Sequence, residues 1–281
     1  MASTSCRVTL PSGEAVPALG QGTWHLAEKP ARRSDEIAAL RLGLDLELTL
    51  VDTAEMYADG AAEVLVGEAI AGRRDEVFLV DKVLPHHATR SGTVRACQAS
   101  LARLAVDHID LYLLHWRGRV PLAETVAGFA DLQAAGLIRH WGVSNLDVDD
   151  LIELTALPGG DQVQTDQILY NLVRRGPEYA LLPWLSARRI PAMAYSPIEQ
   201  GRLLRHPALI EVAQRHSATA AQIALAWVLA HDGVSAIPRT GEPDHVRVNA
   251  EARGIGLGGD DLSLLDQAFP PPVRPRRLET L

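Results

Sequence analysis

"VFLVDKVLPHHATRSGTVRACQASLARLAVDHIDLYLLH", residues 77–115, opens on one short apolar run and closes on another. "VFLVDK" (77–82) and "IDLYLLH" (109–115) have the length and composition of buried strands, and "TVRACQASLARL" (93–104) between them reads as a helix. A strand, a helix and a second strand in that order form a βα unit, whose strands lie side by side and parallel.

The unit recurs in both directions. "ALGQG" (18–22) and "LTLVD" (48–52) precede it; "IRHWGV" (138–143), "VQTDQ" (163–167), "AMAYS" (192–196) and "VSAIP" (234–238) follow. Helical patterns such as "SDEIAALRLGL", "AAEVLVGEAIAG", "LAETVAGFADLQAAG" and "AAQIALAWVLAHDG" fill the intervals, with Ser34 as a helix N-cap and Gly72, Gly136 and Gly233 as helix stops. Eight strand ends spaced about 25 to 45 residues apart predict a (β/α)8 TIM barrel. The other architecture is an open doubly wound sheet, which carries a glycine-rich phosphate turn after its first strand. "GQGTWHLAE" offers G-x-G there without a third glycine or an immediate helix. "RVTLPSGEAV" (7–16) predicts a β-hairpin across the bottom of the barrel, and residues 270–281, "PPPVRPRRLETL", a loose extended tail. No boundary divides residues 1–281, which read as a single domain.

Composition narrows the function. Hydrophobic residues make up 47% of the 281, ample for a core, and the net charge of −8 with no basic block argues against nucleic acid and anionic membranes as partners. No apolar run approaches the ~20 residues that span a bilayer, and "MASTSCRVTLPSG" lacks the apolar centre of a secretion signal; a cytoplasmic location is expected. Two cysteines, Cys6 and Cys97, support neither a disulfide framework nor a cysteine zinc site. Of the 27 basic residues only Lys29 and Lys82 are lysines. Lys82 therefore stands out, at the end of a strand where a compact ammonium suits a tight site.

In a barrel of this kind chemistry gathers at the C-terminal ends of the strands. Asp52, Lys82 and His115 end the second, third and fourth strands, and Tyr57 follows in the loop after the second. Singly each has an ordinary reading: a cap, a structural ion pair, a core histidine, loop packing. Together they form a device. An ammonium beside a phenol favours phenolate and lowers its pKa from about 10. Asp52 braces the ammonium, and His115 orients a substrate oxygen. The product is a general acid aimed at an oxygen becoming an alkoxide, and with no protein nucleophile in view a cofactor must supply the other reactant.

The motifs "GTW" (22–24), "DTAEMY" (52–57), "FLVDK" (78–82), "YLLHW" (112–116), "GVSN" (142–145), "QILYN" (167–171), "AYSP" (194–197) and "IPRTGEPDHVRVN" (237–249) stand in an ordered series that resembles the aldo-keto reductase family from about Val8 to Pro272. "LLPW" and "AYSPIEQGRLL" resemble its bacterial branch of methylglyoxal and small-aldehyde reductases. The resemblance implies Tyr57 as general acid, with Lys82, Asp52 and His115 completing a tetrad. It implies NADPH (NADP+) lying across the mouth near Gly22, Thr23 and Trp24, its carboxamide held by Ser144, Asn145 and Gln167 and its nicotinamide stacked on Tyr195. The loop Ser196, Pro197, Ile198 to Gly201 would strap the pyrophosphate, and Arg239, Thr240 and Asn249 would clamp the 2′-phosphate. His245 replaces a customary arginine, which weakens the preference for NADPH over NADH, although Arg247 would compensate. Trp24, Tyr57, His115 and Trp116 would wall the pocket of a small carbonyl substrate. No metal is implied, and a monomer is expected.

Two departures from the family pattern matter. Asp81 takes a position usually small and neutral, and Asp166 one commonly asparagine. Alternation points Asp81 away from Lys82, into the layer between barrel and helices, where its ordinary reading is a local ion pair with an arginine; swung toward Lys82 instead, it would compete with Tyr57 for that charge. As added negative charges, both are expected to raise the tyrosine pKa and weaken NADPH binding. A non-catalytic NADP(H) sensor on the same fold is the second reading, against which stands the complete tetrad. A metal-assisted hydrolase is the third, with only "PHH" (85–87) to recommend it. The shortness of the tail implies a wide, permissive pocket.

Overall fold

The computed structural model describes residues 7–281; Cys6 and the rest of the N-terminal stretch lie outside them. Strands β1 (Arg7–Thr9) and β2 (Ala15–Pro17) pair antiparallel, and eight further strands form one parallel sheet in chain order. These are β3 (Gln21–Gly22), β4 (Leu50–Asp52), β5 (Phe78–Val83), β6 (Ile109–Leu114), β7 (Ile138–Ser144), β8 (Asp166–Leu169), β9 (Ala192–Tyr195) and β10 (Val234–Ala236). The first and last meet: Leu19 bridges to Ala236 and Gly22 to Arg239, and the Gly22 N–H donates to the Pro238 carbonyl at 3.0 Å. The sheet is thus closed into a (β/α)8 barrel, and closure removes both edges.

The glycines of "GQG" lie against the two neighbours of β3, Gly20 against β4 and Gly22 against the closing strand. A Cβ on Gly20 would lie 2.7 Å from the Leu50 carbonyl oxygen, and one on Gly22 2.8 Å from that of Ile237. Glycine here permits close backbone approach between strands.

Helices occupy the expected intervals, including Arg33–Asp45, Ala61–Ile70, Arg90–Leu104, Leu122–Ala134, Val148–Thr155, Ala220–Leu229 and Pro243–Glu251. Ser34 is not an N-cap: a 3-10 turn over Pro30–Arg32 runs into the helix, so Ser34 already lies inside it. Gly72, Gly136 and Gly233 do follow helix ends, each in the left-handed region. All six residues of β5 are buried, because alternate side chains face the barrel interior and the helix layer.

The hairpin lies at the N-terminal ends of the strands. The Ser12 N–H donates to Gln164 Oε1 at 2.9 Å, ahead of β8, and Glu14 pairs at 2.7 Å with both Arg139 and His140 at the start of β7. The tail has no regular structure but is less loose than expected. Its Leu278 N–H donates to Asp147 Oδ2 at 3.1 Å, and Glu279 pairs with Arg174 at 2.8 Å. Among the described residues no helix is long and apolar enough to cross a membrane.

Candidate active site

β4 and β5 are in register with Asp52 opposite Val80, which places Asp52 and Lys82 on adjacent strand ends facing the interior. Lys82 is fully buried. Its Nζ donates to Asp52 Oδ1 at 2.7 Å, to the Thr53 carbonyl at 2.8 Å and to the Tyr57 hydroxyl at 3.1 Å. Three acceptors meet the three donors of an ammonium. The second Asp52 oxygen accepts from Gln167 Nε2 at 2.8 Å. His115 directly follows β6 with its ring edge-on to Tyr57, centroids 5.7 Å apart, and its Nδ1 has no hydrogen-bond partner. Trp116, 38% exposed, packs edge-on against His115, and Trp24 leans over His25. The structure therefore brings Asp52, Tyr57, Lys82 and His115 together.

Burial disfavours the Lys82 charge, but Asp52 and Tyr57 more than compensate, and its pKa is raised. Burial pushes the Asp52 carboxyl up while Lys82 and Gln167 pull it back. These tendencies oppose each other across one pair, and the geometry decides: an Nζ surrounded by three acceptors is an ammonium, and its partner a carboxylate. Tyr57 corrects an expectation. Enclosure of its hydroxyl end raises the phenol above the ordinary tyrosine value, and Lys82 offsets only part of that. The phenol stays protonated. Burial, then Lys82, pushes His115 down to about 2, so the imidazole is neutral.

The residues expected at the cofactor adjoin this cluster. Ser144 Oγ donates to the Gln167 carbonyl at 2.8 Å. Asn145, left-handed at φ 60°, donates through Nδ2 to Ser144 Oγ at 3.0 Å and to the His115 carbonyl at 3.2 Å. The Tyr195 hydroxyl donates to Asn145 Oδ1 at 2.8 Å. Thr23 Oγ1 donates to the Asp52 carbonyl at 2.9 Å, which ties the first loop to the same cluster. Beyond Tyr195 the chain turns sharply through Ser196, Pro197 and Ile198, with Ser196, Glu199, Gln200 and Gly201 all left-handed. Sequence reasoning missed what holds this turn: buried Glu199 accepts from Asn171 Nδ2 at 2.8 Å and pairs with Arg174 and Arg202, both at 2.9 Å. Its only signal was a single acidic residue in the otherwise uncharged "SPIEQG".

The expected clamp sits at the closure of the barrel. Arg239 Nε donates to the Trp24 carbonyl at 2.7 Å, and Thr240 Oγ1 accepts the Glu242 N–H at 3.0 Å where the helix Pro243–Glu251 begins. His245 is exposed and Asn249 buried on that helix. Arg32 pairs with Glu242 at 2.8 Å, a neighbour that the sequence did not disclose.

Asp81 does face the helix layer, but without an arginine partner. Glu63 and Ser100 are its neighbours, neither carboxyl oxygen makes a well-formed hydrogen bond, and Arg103 spends its fork on Glu63. Asp166 is likewise fully buried, with the Leu146 backbone N–H nearby but no well-formed hydrogen bond to either oxygen. Burial raises both well above the usual carboxylate range, Asp81 further through Glu63. Burial thus works against the negative charge expected on each.

Barrel, tetrad and polar rim define a class of reductase, and residues 18–269 match the Aldo/keto reductase family; the chain belongs to it. The methylglyoxal reductase YeaE of Escherichia coli K12 is 51% identical over 263 residues, covering 92% of this chain and 93% of that protein. The methylglyoxal reductase DkgB of Salmonella typhi is 28% identical over 252 residues, covering 88% and 90%. Among solved structures, an aldo/keto reductase from Klebsiella pneumoniae in complex with NADP and acetate superimposes with a TM-score of 0.96 at 49% identity, covering 98% of this chain and 99% of that one.

Proposed function

We propose that this chain reduces small aldehydes and reactive ketones to alcohols with NADPH, with Tyr57 as the general acid. The observation that carries the reading is the Tyr57 hydroxyl at 3.1 Å from a Lys82 ammonium that Asp52 braces at 2.7 Å. NADPH, when bound, supplies the hydride. The donor set suits it: Ser144, Asn145 and Gln167 form an amide-and-hydroxyl cluster matched to a carboxamide, and Tyr195 offers a ring beside it. Gly22, Thr23 and Trp24 border the same rim. The turn through Ser196, Pro197, Ile198 and Gly201 would strap the pyrophosphate. Arg239, Thr240, His245 and Asn249 would meet the 2′-phosphate at a helix start, where backbone N–H groups and a cation suit an anion.

Reduction at the carbonyl carbon would place negative charge on the substrate oxygen. Tyr57 gives that oxygen its proton, and Lys82 stabilises the phenolate left behind. Neutral His115 hydrogen-bonds the substrate oxygen without competing as an acid. Trp24 and Trp116 supply apolar walls. Methylglyoxal heads the substrate list, on the strength of the relatives' activities. The reading includes a monomeric, cytoplasmic enzyme, the first of which a sedimentation experiment decides.

The test is loss of NADPH absorbance with a panel of aldehydes and 2-oxoaldehydes. Turnover of methylglyoxal, abolished in Tyr57→Phe with NADPH binding retained, supports the proposal. Tight NADPH binding with no carbonyl turned over would identify a sensor instead.

A further inference from the structure

The turn that carries Tyr57 is strained. Ala58 (φ 49°, ψ 41°) and Asp59 (φ 51°, ψ 43°) are both left-handed, and Gly60 follows at φ 86°. Ordinary residues hold such a conformation only where their surroundings impose it. Downstream the constraint is visible. Fully buried Glu63 takes the Arg103 fork, and Arg103 lies so close over Gly60 that a Cβ there would come within 2.7 Å of its Cδ.

Upstream the constraint is Glu55, whose side chain is only 8% exposed. The ladder between β4 and β5 continues past Asp52 with the Thr53 N–H donating to the Val80 carbonyl at 2.9 Å. The following rung, from the Glu55 N–H to the Lys82 carbonyl, is stretched to 3.4 Å as the chain turns away. The next donor on the β5 side is the Leu84 N–H, and it is met at 2.6 Å by Glu55 Oε1. A side chain thus extends the ladder beyond the point where backbone can. It joins the residue two before Tyr57 to the residue two after Lys82. The same carboxylate touches His87 Nδ1 at 3.0 Å, but that ring is 45% exposed, and a contact of this kind holds little.

We propose that Glu55 is a positioning residue for proton transfer: its bond to the Leu84 amide holds the Tyr57 hydroxyl within hydrogen-bonding reach of Lys82 Nζ. The inference rests on Tyr57 being the acid, and Tyr57→Phe serves as the reference that separates the two ideas. Displacement of a reacting group by about 1 Å costs on the order of a hundredfold in rate, so a loosened turn is measurable.

The experiment compares kcat, KM, the NADPH dissociation constant and the pH profile of carbonyl reduction across four variants. Leu84 sits at φ −69°, ψ 145°, which proline adopts without strain, so Leu84→Pro deletes the donor and leaves Glu55 intact. Glu55→Ala and Leu84→Pro should each lower kcat by about tenfold or more, with the NADPH dissociation constant within twofold of wild type. Their alkaline limb should move to higher pH, because a phenol farther from the ammonium is a weaker acid. Glu55→Gln keeps an acceptor oxygen and should return kcat to within threefold. His87→Ala should stay within twofold. Should Glu55→Ala fail to fold, Leu84→Pro interrogates the same bond from its other end. An unimpaired Leu84→Pro, a Glu55→Gln as slow as Glu55→Ala, or a His87→Ala as slow as either overturns the inference. With Tyr57→Phe inactive, such results remove this inference alone; an active Tyr57→Phe removes the acid assignment with it.

Discussion

Gln167 donates its amide hydrogen to Asp52 Oδ2 at 2.8 Å, so the residue expected to hold the nicotinamide carboxamide also holds the carboxylate that braces Lys82. On the proposed reading, cofactor recognition and acid strength would share this one hydrogen bond. Replacing Gln167 by leucine leaves a buried carboxylate oxygen unpaired, a loss of about 1 to 3 kcal/mol. Gln167→Leu should therefore weaken NADPH binding and lower kcat together, each by about tenfold. Fluorescence titration with NADPH alongside steady-state turnover checks this; a variant altered in only one of the two would show that the link is idle.

Lys82→Met removes the ammonium and strands Asp52 without its charge partner. Breaking a buried pair from one side destabilises a fold by about 3 to 5 kcal/mol. Lys82→Met should thus lose activity and unfold at markedly lower urea. Combining it with Asp52→Leu should restore much of the stability and none of the activity. A single variant as stable as wild type would mean that Asp52 is not ionised.

The raised pKa of Tyr57 and the depressed one of His115 set the pH dependence. With Tyr57 as the proposed acid, reduction would need it protonated, and burial raises the phenol above the ordinary tyrosine value. His115, at about 2, carries no charge at any working pH. Carbonyl reduction at saturating NADPH should show no inflection from either group between pH 5 and 9, and should fall only at the alkaline extreme. A limb near pH 6.5 that vanishes in His115→Asn would contradict this.

Asp81 and Asp166 give a stability prediction in place of a binding one. Their folded pKa values lie above the unfolded ones, so unfolding releases protons and stability declines as pH rises from the ordinary carboxylate range toward the folded values. Asparagine at either position carries no such dependence. Asp81→Asn and Asp166→Asn should gain stability relative to wild type at pH 8 more than at pH 4, by urea denaturation. The NADPH dissociation constant should move less than twofold, since burial already works against the charge that asparagine would remove.

Much of the site was legible because strand ends are legible. Asp52, Lys82 and His115 each close an apolar run, and a parallel barrel sends such residues to one rim, so spacing alone placed them together. Glu55 was hidden because its role lies in a bond to a backbone amide, which composition does not record. Asp81 was misjudged for a related reason. Alternation gave its direction, but the nearest arginine turned out to be engaged by Glu63, and that depends on which helices pack behind β5. Ser34 misled because a 3-10 turn started its helix early. "GQG" resembled half of a phosphate loop until the partner strand appeared on its far side.

That partner strand arrives late. Arg239 reaches back to Trp24 across 215 positions of the chain, and almost the whole protein must be synthesised before β3 finds its second neighbour. Until then β3 offers an unsatisfied backbone to any passing strand, a hazard common to nascent chains with long-range pairing. Chains that stop short of Val234 should emerge from the ribosome as aggregates, however complete the candidate catalytic residues they already carry.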